Sequence, residues 1–121
     1  MKTSAVHASD PHQEPVRIRQ ISAPELKAMI DSGASIELVD VRTEEERAIA
    51  RIAGSRLLDQ EYYKYLLGLD RSTPLVFQCH HGIRSQSAAE HCLLQGFRNL
   101  YNLRGGIDAW SQLVDPAVPR Y

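Results

Sequence analysis

The sequence predicts an α/β domain with a mainly parallel central sheet flanked by helices on both faces. Three features carry that expectation. Strand-like and helix-like apolar periods alternate from end to end, the order expected of strand–helix–strand units. Leu75-Val76-Phe77-Gln78-Cys79 is a near-continuous apolar run, which suits a strand buried on both faces of a parallel sheet. The 121 residues, 43% apolar and 24% charged, have the size and composition of one globular domain.

Each element has its own local signal. Residues 1–15 are rich in Ser, Asp, His, Pro and Gln and carry almost nothing to bury. They are expected to form a disordered lead, with the folded domain over 16–121. Residues 16–21 alternate apolar and polar, as a strand does. Ser22 and Glu25 then form a capping box, with Pro24 in the first turn of a helix. Leu26, Met29 and Ile30 give that helix its apolar stripe, and Gly33 closes it. Residues 36–41 read as a second strand. Thr43 caps a short helix whose Glu44, Glu45 and Glu46 suit the positive end of a helix dipole. Gly54 breaks the chain, and 56–58 form a brief strand. Asp59 caps a helix through Tyr62, Tyr63, Tyr65, Leu66 and Leu67. After the loop 70–74 and the buried strand, a helix over 85–95 puts Ala88, Ala89, Cys92 and Leu93 on one face, closed by Gly96. Residues 99–103 form the last strand. Gly105-Gly106 turns into a helix bearing Ile107, Trp110 and Leu113, which Asp115-Pro116 ends.

Charge and composition exclude several functions. Fourteen basic against fifteen acidic side chains give a net charge of −1, so no single-sign field draws in nucleic acid or an anionic membrane. No apolar run reaches the ~18–20 residues of a membrane span. The first fifteen residues lack the apolar core of a secretory signal, which makes a reducing cytoplasm the expected home. Cys79 and Cys92 lack the C-x-x-C spacing of a redox pair or a zinc knuckle. The spacing of Cys79, His80, His81 and His91 fits no zinc pattern, so no metal is expected.

The informative segment is 75–85, LVFQCHHGIRS. It reads as a buried strand, a tight loop and a helix beginning at Ser85. Ligands of open α/β sheets bind outside the carboxyl ends of strands, and Cys79 lies at such an end. Loop N–H groups folding back before a helix converge as an anion nest. The helix N-terminus adds about half a positive charge, and Arg84 adds a full one on a planar fork. These groups favour the thiolate, so Cys79 is expected to have a lowered pKa and to act as a nucleophile. Gly82 supplies a positive φ or a surface bare of Cβ. The rival reading is an inert buried cysteine at a strand end. The nucleophile requires a depressed pKa and a sulfur open to solvent.

Cys79-x-x-Gly82-x-Arg84-Ser85 resembles the active-site loop of rhodanese-like (sulfurtransferase) domains. Three further stretches match that family in order. Asp40-Val41-Arg42, followed by acidic residues, is similar to its aspartate motif after the second strand. Ile52-Ala53-Gly54-Ser55 resembles its H-I-P-G-A turn, without the histidine and proline. The stretch from Asn102 through Gly105-Gly106 to Trp110 resembles its Gly-Gly helix start. The likeness spans about residues 16–121. The ending, from Asp115-Pro116 to Tyr121, is similar to rhodanese modules fused to sulfur-carrier-activating enzymes or to glutaredoxins.

The resemblance implies a rhodanese-like fold and a sulfurtransferase. The Cys79 thiolate takes the outer sulfur of a donor such as thiosulfate or glutathione persulfide, becomes a persulfide, and passes that sulfur to cyanide or to a thiol, including a protein thiol. His80, His81, Gly82, Ile83, Arg84 and Ser85 form the cradle. No cofactor is implied, because the sulfur rides on the protein. One alternative is a carrier that delivers persulfide sulfur to one partner protein with little turnover on small donors. A remoter one is a phosphatase of the Cdc25 type. Those carry Cys-x5-Arg around a tetrahedral phosphate, whereas Cys79 to Arg84 is Cys-x4-Arg and suits a single sulfur.

Well-studied thiosulfate enzymes of the family place Arg or Lys where His80 and His81 stand. Imidazoles of ordinary pKa, about 6.5, are mostly neutral at pH 7. A dianionic donor therefore meets less fixed positive charge, which brings protein or glutathione persulfides in beside thiosulfate. Proton handling at the acceptor step and plain exposure are the other readings of the pair. Asp40 is expected near the loop, accepting loop N–H bonds and holding the cradle's shape. Arg42 either pairs with a nearby carboxylate or lines the mouth. Cys92 reads as core, with a resolving cysteine as the alternative. His91 falls on a polar face, Trp110 and Tyr101 read as core, and the three clustered tyrosines are too dense to be all buried.

Overall fold

The computed structural model describes residues 15–121, so the lead expected to be disordered over 1–15 lies, Pro15 apart, outside the described residues. The elements run β1 (Ile18–Ile21), α1 (Ala23–Asp31), β2 (Glu37–Asp40), α2 (Glu44–Ile49), β3 (Arg56–Leu57), α3 (Gln60–Leu67), β4 (Leu75–Gln78), α4 (Ile83–Leu94), β5 (Leu100–Leu103) and α5 (Gly106–Leu113). Five strands form one sheet in the order β1-β5-β4-β2-β3. Every neighbouring pair is parallel, and a helix fills each crossover.

Alternation along the strands splits the core in two. Leu38 and Val76 face one side, where they meet Ala23 and Leu26 of α1 and Ile107 and Trp110 of α5. Val39, Leu75, Phe77 and Leu100 face the other side, against Tyr62 and Leu66 of α3 and Ala89 and Cys92 of α4. Helices therefore cover both faces. Every residue of β4 is buried, as its apolar run predicts for a central parallel strand.

Several element ends differ from expectation for physical reasons. β1 starts at Ile18, because its partner β5 begins opposite it, Ile18 against Leu100; Val16 is left exposed. Both halves of the Ser22–Glu25 capping box are made, and Thr43 with Glu46 makes a second one at α2. The inward stripe of α1 is Ala23, Leu26 and part of Met29, while Ile30 stays exposed in the last turn. In α5 the stripe steps from Ile107 to Trp110, Ser111 and the half-buried Val114, the spacing of one helix face. Leu113 therefore points to solvent.

The start of α4 matters most. It begins at Ile83, before the expected Ser85, because Gly82 takes φ +105° and turns the chain directly into the helix. The chain enters β4 from the β2–β3 side and leaves it toward β5. The connection after the neighbouring β2 runs the opposite way, toward β3, and between these diverging connections a crevice opens at the carboxyl end of β4. Among the described residues no helix is long and apolar enough to cross a membrane.

Candidate active site

Cys79 is the first residue beyond β4, and Gly82, the N-cap of α4, has no side chain with which to cap it. The first N–H groups of a helix need acceptors from outside it. Cys79 Sγ is that acceptor: Ser85 N–H, in the first turn, donates to it at 3.3 Å, and Gly82 N–H at 3.1 Å. The sulfur caps the helix, so the positive end of the dipole falls on it. Ser85 Oγ stands 3.3 Å away.

Burial alone would push the Cys79 thiol up. The Ser85 hydroxyl and the N–H groups of Ser85, Gly82 and His81 outweigh it, and the thiol is held below its ordinary value. Cys92 is the control within the same fold. It is equally buried, with only the distant charge of Arg71 in its favour, and burial pushes its thiol up to about 11. It packs in the α3–α4 core, as expected.

One expectation needs correction. Cys79 is 1% exposed, so its sulfur is not open to solvent. The cause is the cradle itself: amides that converge on a single atom also enclose it. An open groove of about 420 Å³ runs beside the loop, along Gly82, Ile83 and Asn102, but Cys79 does not line it.

The predicted cradle residues divide. Gly82 and Ser85 bond the sulfur, and His81 faces it through its backbone N–H. The Ile83 side chain is 79% exposed and points away. Arg84 does not aim its fork at the sulfur. It makes a two-point pair with Glu46, at 2.7 and 2.9 Å. That pair holds Glu46 well below the usual carboxylate range against its partial burial, with help from Tyr121 and Thr43. His80 stacks on His81, with ring centres 3.9 Å apart, and on Tyr121 at the same distance. The Tyr121 hydroxyl donates to Glu46 Oε2 at 2.8 Å and accepts from Arg42 at 2.9 Å.

Glu46 and Tyr121 are the residues that sequence reasoning missed here. Glu46 reads from sequence only as a helix-end charge. Its meeting with Arg84 follows from β2 lying beside β4. Tyr121 reads from sequence only as the last residue of the family-like ending.

Asp40 also departs from expectation. It is wholly buried, but its oxygens accept from Arg42 Nε and Nη2 and from Arg47 Nη1, each at 2.9 Å, rather than from loop amides. Arg42 folds back over its near neighbour and pairs with both oxygens. Asp40 reaches the loop only indirectly, through Arg42, Tyr121 and His80.

The loop is held from behind by α5. Ile107 N–H donates to the Cys79 carbonyl at 2.8 Å and Asp108 N–H to the His80 carbonyl at 3.2 Å. Gly106 has φ +61°, and a Cβ there would overlap those same two carbonyl oxygens. His80, His81 and Asp108 offer ligand atoms within 4.8 Å of one another. Arg120 and Gln112 bind the Asp108 carboxylate, and the two imidazoles are stacked on each other. His91 is exposed and bonds the Tyr63 hydroxyl at 2.7 Å, away from this loop.

Residues 22–113 match the model of the rhodanese-like domain. The chain is similar to the thiosulfate sulfurtransferase GlpE of Pseudomonas aeruginosa, 34% identical over 76% of this chain and 83% of that protein. The GlpE of Stutzerimonas stutzeri is 38% identical over 76% and 84%. Among solved structures, the rhodanese-like domain protein of Staphylococcus aureus superposes with a TM-score of 0.69 at 26% identity, over 86% of this chain and 99% of that one.

Proposed function

We propose that this chain, which belongs to the rhodanese-like domain family, is a sulfurtransferase that carries sulfane sulfur from donor to acceptor as a persulfide on Cys79. The observation behind this reading is the helix-capping sulfur, held by the Gly82 and Ser85 N–H groups with its pKa lowered despite burial. The relatives named thiosulfate sulfurtransferase support sulfur transfer in general.

In the first half-reaction the thiolate attacks the donor's outer sulfur. A new S–S bond forms and the donor's own bond breaks. The leaving group takes the electron pair, as sulfite from thiosulfate or as glutathione thiolate from its persulfide. In the second half, an acceptor thiolate or cyanide attacks the outer persulfide sulfur, and Cys79 leaves as thiolate. The same N–H groups stabilise negative charge at Sγ at both ends of the cycle. Cys79 is 1% exposed, so the solvent-open thiol expected from the sequence is not what the resting cradle holds, and attack on a donor requires the 80–82 loop to part from the sulfur.

Glu46 neutralises Arg84, which leaves little fixed cation for a dianionic donor and supports persulfide donors beside thiosulfate. With its fork engaged, Arg84 does not offer the clasp a phosphate needs, which disfavours the phosphatase alternative. The acting unit is residues 16–121, and a reducing cytoplasm suits its free thiols Cys79 and Cys92.

Mass spectrometry after incubation with each donor tests the reading. One added sulfur atom on the Cys79 peptide, absent from Cys79→Ala, is expected, together with thiosulfate–cyanide turnover that the same variant loses. Sulfur loading without turnover would make the chain a carrier. No loading from either donor overturns the proposal.

A further inference from the structure

Ser85 has one hydroxyl proton, and its neighbours decide where that proton rests. Asn102, buried on β5, places one end of its amide 3.1 Å from the Gly82 carbonyl and 2.9 Å from Gln20 Oε1. A carbonyl oxygen only accepts, so the Asn102 atom facing Gly82 is Nδ2. Both of its N–H bonds are spent on these two acceptors. The other end is Oδ1, which also only accepts, and it lies 2.6 Å from Ser85 Oγ. The Ser85 proton therefore sits on the Asn102 side. While Cys79 is protonated, the Ser85 proton stays with Oδ1 and Ser85 meets the thiol, 3.3 Å away, as the acceptor of S–H.

Ionisation reverses this. The thiol proton passes to a solvent base, and lone pairs then face each other across the 3.3 Å contact. The contact becomes favourable only when Ser85 turns its O–H from Oδ1 to Sγ. That turn leaves a buried Oδ1 without its donor, which is costly.

We infer that Asn102 is a positioning residue for the chemistry of Cys79: by holding the Ser85 proton it opposes the thiolate, and release of that proton is part of Cys79 activation. The inference rests on the reading of Cys79 as the reacting group. The charged groups around the sulfur lie elsewhere. Arg84 of α4 pairs with Glu46 of α2, and Asp108 of α5 with Arg120. Asp40 of β2 pairs with Arg42 and Arg47. His80 and His81 stack in the loop. Glu90 of α4 reaches Asn102 only through Gln86 and Gln20. Substitution at Asn102 or Ser85 leaves these charges in place.

The test is the pH dependence of Cys79 alkylation by iodoacetamide, read on its own peptide, in a double-mutant cycle. Asn102→Ala should lower the apparent pKa by about one unit, tenfold more thiolate at a pH below the midpoint. Ser85→Ala should raise it, because the hydroxyl donor is gone. In the Ser85→Ala background the Asn102 replacement should give no lowering. A purely structural Asn102 would loosen Gly82 and raise the pKa instead, and that result, an unchanged value, or equal lowering in both backgrounds overturns the inference. If Asn102→Ala does not fold, Asn102→Asp is read in the same cycle. Its carboxylate should raise the pKa more with Ser85 present than without, and equal rises overturn the inference. Alkylation needs no sulfur donor, so a chain that transfers no sulfur would sink the proposed function and leave this result separately readable.

Discussion

Cys79 and Cys92 are buried to the same degree, 1% and 2% exposed, and their thiols move in opposite directions. The difference is the hydrogen-bond donors aimed at one sulfur and absent from the other. Cys92 is thus a packing residue, and Cys92→Ala should leave sulfur transfer within about twofold while costing about 1 kcal/mol in urea denaturation. A severe loss of transfer in a folded variant would restore the resolving role. Glu46 makes a prediction of another kind. Arg84 holds its carboxyl below the usual range against burial. With a depressed folded pKa, its stabilisation is complete above the unfolded value of about 4.3 and is lost as pH falls through the folded value. Glu46→Gln should therefore lower stability by about 1 kcal/mol near neutrality, a modest figure because Arg84 is half exposed. The gap should close toward acid. A gap that widens as pH falls would contradict the assignment. The approach of the Gly82 and Ser85 N–H groups to Cys79 was legible because the order strand–loop–helix determines where the N–H groups point. Arg84 misled for the same reason that Glu46 was missed: their pairing depends on which strands are neighbours.

At the scale of elements, α4 and α5 hold the loop from opposite ends. α4 presents donors to the sulfur, and α5 presents donors to the Cys79 and His80 carbonyls. Close approach of α5 requires a bare Cα at Gly106. Gly106→Ala should cost at least about 3 kcal/mol and raise the Cys79 pKa as the loop lifts, read by thermal melting and thiol titration together. Wild-type values in both would remove α5 from the cradle. Caps and periods were readable because they are local: Ser22 with Glu25 and Thr43 with Glu46 both form. Ends set by partners were not, as with β1, which starts where β5 does. The early start of α4 hung on one backbone angle at Gly82.

Across the whole molecule, burial of β4 on both faces sets the position of Cys79. Phe77 is fully buried on the α3–α4 side, and Phe77→Ala should cost about 3–5 kcal/mol. The midpoint in urea should drop with the pKa of Cys79 nearly unchanged in the folded state. A large pKa change would show that the core and the cradle are coupled. The parallel α/β class was legible from the apolar run of β4 and the alternating periods. The strand order and the closure of Tyr121 over His80 were not, since they arise only once distant segments have packed. The enclosure of the sulfur escaped for the same reason. Three N–H groups and one hydroxyl closing on one atom is a property of the assembled loop, not of its residue types.

The N–H groups aimed at the buried sulfur that caps α4 should ionise it more readily than a free thiol. The most direct measurement is the pH profile of iodoacetamide alkylation at Cys79 in the unmodified chain. A midpoint below the ordinary thiol value of about 8.5 is expected; one at or above that value would mean that the amides do not stabilise the thiolate.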